Sequence, residues 1–209
     1  MAKQSMEYCA FHYLNQYLRN DERHIRVLAD KALTRKKRCE ELKDAATFYK
    51  VARNLRTRYK VKKVSTRYGR VLDLLDKIDE SKKPSRPEQT ILRFSTKLKH
   101  YYQNYDLLSF SSKMLWLKYQ NPIIIYDKQA RKALQTAVGD LKDFYSKWRL
   151  CYSEQRSSIK DACDELPAIA SFAWRTNDEV ISSSQIRNLA RNEWFRERVL
   201  DMSLWFEGD

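Results

Sequence analysis

The chain has 209 residues, 43% of them apolar and 12% aromatic, with only 3 Gly and 4 Pro. That length suffices for one domain or two small ones, and the scarcity of turn-forming residues argues against a β-sandwich, a β-barrel or a disordered linker. The formal net charge of +14 is concentrated: residues 34–70 carry 14 Lys and Arg against 3 Asp and Glu, residues 1–33 carry 5 against 4, and residues 71–209 carry 22 against 20.

In chain order the patterning predicts helices throughout, an all-α fold. Residues 5–19 carry Phe11, Leu14 and Leu18 on one face, with Tyr13 and Tyr17 alongside. Residues 22–60 read as helical with a break, through the stripes Ile25, Leu28, Ala29, Leu33 and Leu42, Ala45, Ala46, Tyr49. Ser65 or Thr66 is placed to cap a helix through Val71, Leu72, Leu74, Leu75 and Ile78. The stretch ESKKPSRPEQT, residues 80–90, is the best linker candidate. Pro87 suits the first turn of the next helix, with Ser85 as its cap and Ile91, Leu92, Phe94, Leu98, Tyr101 and Tyr102 along it. Asn121-Pro122 ends another helix, and a long one is expected from Asp127 towards Trp148. Residues 155–180 are less regular. The serine cluster 182–184 precedes a final helix with Phe195, Val199, Met202 and Phe206 on one face.

Cys9, Cys39, Cys151 and Cys163 are scattered with no C-x-x-C pair, and the three histidines, His12, His24 and His100, are scattered as well. A zinc site is therefore not expected, and the thiols read as reduced and mostly buried in a cytoplasmic protein. No basic start followed by an apolar run marks a signal peptide, and the longest apolar run, Ile123–Tyr126, is far too short to cross a bilayer. No phosphate-binding glycine loop, G-x-S-x-G or H-E-x-x-H occurs, and no cofactor is expected.

The basic segment TRKKRCEELKDAATFYKVARNLRTRYKVKKVSTRYGR interleaves cations with Phe48, Tyr49, Tyr59 and Tyr68. Cationic donors suit phosphate oxygens, and the rings suit unpaired bases. Its candidate contacts are Arg35, Lys36, Lys37, Arg38, Arg53, Arg56, Lys60, Lys63, Arg67 and Arg70, with Arg53, Arg56, Lys60 and Lys63 at the spacing of one helix face. The expected partner is nucleic acid. The same run also reads as a solvated helix face that serves solubility.

Between Leu107 and Leu134 the sequence LLSFSSKMLWLKYQNPIIIYDKQARKAL places an aspartate at a helix opening behind an apolar run. As a capping residue, Asp127 needs no further role. The pattern also resembles the C-terminal half of the helix-hairpin-helix DNA glycosylase superfamily, including its 8-oxoguanine branch. Ser111-Ser112-Lys113-Met114-Leu115 matches the A-S-x-x-L helix, Ile123–Tyr126 the apolar run, and Asp127 the carboxylate of the lesion pocket. The resemblance implies a helical glycosylase-like fold over residues 83–209, DNA ahead of RNA as partner, and excision of a flipped base through Asp127, with Lys113 as the candidate nucleophile. The chain departs from the family in having Asp106-Leu107-Leu108-Ser109-Phe110 where a Gly-x-Gly hairpin is usual. Ser109 stands at the nucleophile's position, with Lys113 one turn later. The aromatic WFRERVLDMSLWFEG would either wall a base pocket or pack into the core, and Arg198 and Asp201 have the spacing of an ion pair.

A competing match is RNDERH, residues 19–24, which resembles the R-x4–6-H signature of the all-helical HEPN ribonucleases. It implies Arg19 on phosphate charge, His24 as general acid or base and Asn20 in support, with no metal. A helix boundary capped by Asn20 or Asp21 explains the same residues. A third alternative is a non-catalytic DNA-binding protein of the phage, mobile-element or defence kind. The expected organisation is a basic helical region over 1–82 followed by the glycosylase-like region over 83–209, or one continuous domain.

Overall fold

A computed structural model describes residues 4–55, 64–79, 81–102, 107–175 and 180–209. In chain order its α-helices are α1 Met6–Gln16, α2 Glu22–Ala29, α3 Arg35–Phe48, α4 Val64–Asp76, α5 Pro87–Lys99, α6 Leu108–Tyr119, α7 Lys128–Ala133, α8 Leu141–Glu165, α9 Ser183–Ala190 and α10 Glu193–Gly208. A π-helical turn covers Tyr17–Asp21, and tighter 3-10 turns cover Ala52–Asn54 and Leu166–Phe172. Among the described residues the only β pairing is an isolated bridge between Trp174 and Val180, so the fold is all-α. Among the described residues no helix is long and apolar enough to cross a membrane.

The contacts divide the chain into two compact units, residues 1–22 with 126–209 and residues 23–125. The division differs from the expected boundary at 82/83. The linker candidate lies inside the second unit, because its two flanking helices, α4 and α5, pack on each other.

In the first unit, α1 packs on α8 and α10, and α10 on α7. Ser5 caps α1 by accepting from the Tyr8 amide at 3.2 Å. The face of α1 buries Cys9, Ala10, Tyr13 and Leu14, and α10 answers with Phe195, Val199 and Met202. The Tyr13 and Phe195 rings sit 4.9 Å apart. Burying a ring such as Phe195 stabilises by about 1.5–3 kcal/mol. One buried polar cluster interrupts this core. Trp148 Nε1 and Arg198 Nη1 each donate to Asp201 at 2.7 Å, and the Arg198 guanidinium lies over the Tyr13 ring at 5.0 Å.

Two expectations here need correction. The helix from Asp127 stops at Ala133; Gln135 and Gly139 take positive φ, and Asp140 caps the start of α8 by accepting from the Asp143 amide. Helix α8 then runs through Glu165, over residues expected to be irregular. The serine cluster caps α9 rather than the final helix: Ser182 and Gln185 form a capping box, and Asn192 separates α9 from α10.

In the second unit, α3 packs on α4 and α5 on α6. Leu42, Ala45 and Ala46 of α3 are buried, as are Val71, Leu72 and Leu75 of α4 and Ile91, Phe94 and Leu98 of α5. Helix α6 is buried on nearly every side, from Leu108 to Leu117. Pro87 occupies the first turn of α5, as its missing N–H allows, but the residue before it is Arg86, and Ser85 supplies no cap. Helix α4 has begun by Val64, so Ser65 and Thr66 fall within it rather than before it.

Candidate nucleic-acid interface

The basic segment divides once folded. Thr34 opens α3 by accepting from the Lys37 amide at 3.3 Å, and this fixes which of Arg35–Arg38 turn inward. Arg38 and Arg35, one turn apart on α3, meet Asp76 and Asp73, one turn apart on α4. Arg38 is 6% exposed; it donates twice to Asp76, at 2.9 and 2.5 Å, and to the Leu28 carbonyl at 2.8 Å. Arg35 donates to Asp73 at 2.5 Å and to the Gly69 carbonyl at 3.0 Å. That bond from Arg35 holds Asp73 below the ordinary carboxylate range. Arg67 donates to the carbonyls of Leu55 and Ala52, which closes the turn after α3. Arg38 and Arg67 therefore hold the fold together, while Arg35, paired with Asp73, keeps 53% of its side chain exposed. Lys36, Lys37, Arg53 and Arg70 are exposed and able to meet a phosphate. Arg56, Lys60 and Lys63 lie outside the described residues, and with them most of the helix face expected with Arg53.

A second cationic face lies on α5, where residue-by-residue reasoning gave no site. Arg93, Lys97 and His100 are all exposed, at spacings of four and three residues, so they share one side of the helix, away from Ile91 and Leu98, and Arg86 is exposed just before its first turn. The signal was present as a period but was averaged away in a segment of 22 basic and 20 acidic residues. Tyr101 follows directly, 46% exposed, with the Arg70 guanidinium over its ring at 5.2 Å. Arg70, Asp73, Leu74, Asp76, Lys77 and Tyr101 line a recess of about 300 Å³.

The residues taken from the glycosylase resemblance fall in different units. Asp127, in the first, caps α7 by accepting from the Gln129 amide at 2.9 Å and is partly exposed. Burial raises the Asp201 carboxyl, and the nearby charge of Asp127 adds to that rise against the pull of Arg198. Lys113, in the second, is 4% exposed and donates to Ser109 at 3.0 Å, one turn back on α6. Asp106 lies outside the described residues. Of the two roles considered for the C-terminal aromatics, Phe195 packs into the core, and Arg198 and Asp201 form the buried pair their spacing suggested.

The ribonuclease match meets a different environment from the one it implies. His24 is 1% exposed, with Nδ1 2.5 Å from Glu41 Oε1, and Arg23 donates to the same oxygen at 3.0 Å. Burial alone would raise the Glu41 carboxyl; the bond from His24 and the charge of Arg23 outweigh it and hold the group below its ordinary value. An imidazole enclosed in this way offers no open face to an RNA backbone, whereas Arg19 is exposed in the other unit.

Among the described residues, no group of three or more His, Cys, Asp or Glu is arranged to hold a metal ion. The four cysteines are thiols, with Cys9, Cys39 and Cys163 buried and Cys151 half-buried; burial pushes Cys163 up to about 12, which keeps it protonated and unreactive. Compared with known proteins, the chain matches no family model, no curated protein and no solved structure.

Proposed function

We propose that the chain binds nucleic acid, DNA ahead of RNA, through the unit formed by residues 23–125. One observation carries this reading. That unit holds 26 Lys and Arg against 10 Asp and Glu, while the rest of the chain holds 15 against 17. The whole positive excess belongs to one compact body, which a general need for solubility does not require. A field of one sign on one body attracts a polyanion and speeds its encounter. Exposed cations on α3, at Arg53 and along α5 give several phosphate contacts. Excision through Asp127 and Lys113 rests on the glycosylase resemblance alone.

The test is fluorescence anisotropy of the full chain with a labelled oligonucleotide over a salt series. Binding should weaken linearly in log–log form, by about 0.9 in slope for each duplex phosphate contacted. Lys36→Glu with Lys37→Glu, and Arg93→Glu with Lys97→Glu, should each lower affinity and flatten the slope. Lys142→Glu with Arg187→Glu, on the other unit, should change neither. Binding without salt dependence, or equal losses from all three pairs, would overturn the proposal.

A further inference from the structure

Resting on that reading, we infer that the recess between α4 and the end of α5 takes one unpaired nucleobase of a single strand, stacked on Tyr101. The recess is about 300 Å³, at the small end of ligand cavities, which span roughly 300–1,000 Å³. That volume suits a single nucleotide rather than a dinucleotide cofactor. Its one aromatic wall is Tyr101, 46% exposed although its neighbour Tyr102 is buried at 3%. A half-exposed ring lining a recess that also presents Arg70 and Lys77 matches the stacking platforms that hold single strands.

Arg70 covers that ring now. Its guanidinium is 5.2 Å from the ring centroid, its side chain is 62% exposed, and its nearest carboxylate contact, to Asp73, is long at 3.9 Å. A planar cation over a π-face occupies the place a base would take. When a base enters, Arg70 is free to turn outwards and meet the adjoining phosphate. Lys77, just past the end of α4, supplies a second cation.

The two acidic residues of the recess do not oppose this. Asp73 already accepts from Arg35, and Asp76 from both Nη atoms of Arg38. The lining's two cations, Arg70 and Lys77, balance its two carboxylates, and Arg35 and Arg38 behind the wall leave the surroundings net positive. The α5 cations end at His100, the residue before Tyr101. Arg93 to His100 is seven residue steps, about 10.5 Å at 1.5 Å per residue. A backbone lying along Arg93, Lys97 and His100 would deliver its next base to Tyr101. Paired bases are stacked inside a duplex and cannot enter, so the recess discriminates by strandedness.

The experiment compares a labelled single strand with a duplex of the same length, using the full chain and its variants Tyr101→Ala and Tyr101→Phe. Loss of one stacked base should cut single-strand affinity by between about 5- and 150-fold for Tyr101→Ala. Duplex affinity should be unchanged, and Tyr101→Phe, which keeps the ring, should bind like the parent chain. Arg70→Ala should lower the single-strand salt slope by about 0.7, the share of one phosphate. If Tyr101→Ala weakens both forms equally or weakens neither, the recess is not a base site, although the charge-based interface stands. If the parent chain binds neither form, the nucleic-acid reading itself has failed.

Discussion

Asp73 and Asp76 sit one turn apart on α4, and each accepts from an arginine one turn apart on α3, yet their replacement should have very different consequences. Arg38 has only 7% of its side chain exposed, while Arg35 has 53%. Asp76→Ala strands a guanidinium that cannot reach water, and breaking a buried pair in this way costs about 3–5 kcal/mol. Asp76 is itself 31% exposed, so some water already reaches the site, and we expect the lower end of that range, about 3 kcal/mol. Asp73→Ala leaves Arg35 free to swing into solvent, and exposed pairs contribute about 0–1 kcal/mol. For a unit of this size, 3 kcal/mol corresponds to a fall in melting temperature of roughly 12–20 °C. The two units can melt separately, so circular dichroism melts need a local companion. Hydrogen exchange in peptides from α3 and α4 supplies it. The decisive variant is Arg38→Met combined with Asp76→Ala. It removes both charges and fills the space with an apolar chain, so most of the lost stability should return. Equal losses from Asp73→Ala and Asp76→Ala, or a double variant no better than Asp76→Ala, would refute the reasoning.

Asp127 separates capping from chemistry. Asp127→Asn keeps an N-cap and should leave stability nearly unchanged, whereas Asp127→Ala should cost about 1 kcal/mol; base release by the parent chain that Asp127→Asn abolishes would assign it the glycosylase role, and borohydride trapping on a lesion oligonucleotide would report a Lys113 Schiff base. Glu41 links stability to acid. Its folded value is depressed, so its contribution is present above the unfolded value of 4.5 and is lost as pH falls through the lower folded one; Glu41→Gln should flatten that acid loss in urea titrations run on either side of pH 4.5. RNA cleavage that disappears in His24→Ala while the fold persists would restore the ribonuclease reading against the burial seen at that residue.

How much of this was legible in the sequence depends on the range of the interaction concerned. The period of Phe195, Val199 and Met202 announced a buried face because helical geometry repeats locally, and the i, i+3 spacing of Arg198 and Asp201 announced an ion pair for the same reason. Pro87 marked a helix start because a proline restricts its own backbone. What could not be read was the partner across space. Arg38 and Asp76 are separated by 38 residues, and nothing in the run RKKR distinguishes the arginine that faces Asp76 from the lysine beside it that faces water. The break at residues 134–140 depends on positive φ at Gln135 and Gly139, and glutamine carries no signal for that conformation.

The same reasoning explains what a charge count leaves out. A net excess over 34–70 correctly marked where the cations are dense, but density is not availability: a packed helix turns about half its residues inward, and arginines that point there must find carboxylates or carbonyls. Arg38 and Arg67 did so, and Arg35 pairs with Asp73 at the surface. Along α5 the opposite holds. The cations there are diluted by acidic residues elsewhere in the chain, but Ile91, Phe94 and Leu98 claim the inner face, so Arg93, Lys97 and His100 are left outside on one line. The surface that can meet a phosphate is thus set by the apolar pattern more than by the charged one, because burial decides which cations remain in water to be exchanged for a ligand. A helix with fewer cations but a clean apolar stripe, ending beside a half-exposed tyrosine, is a better candidate for a strand than a denser run whose arginines already hold the fold closed.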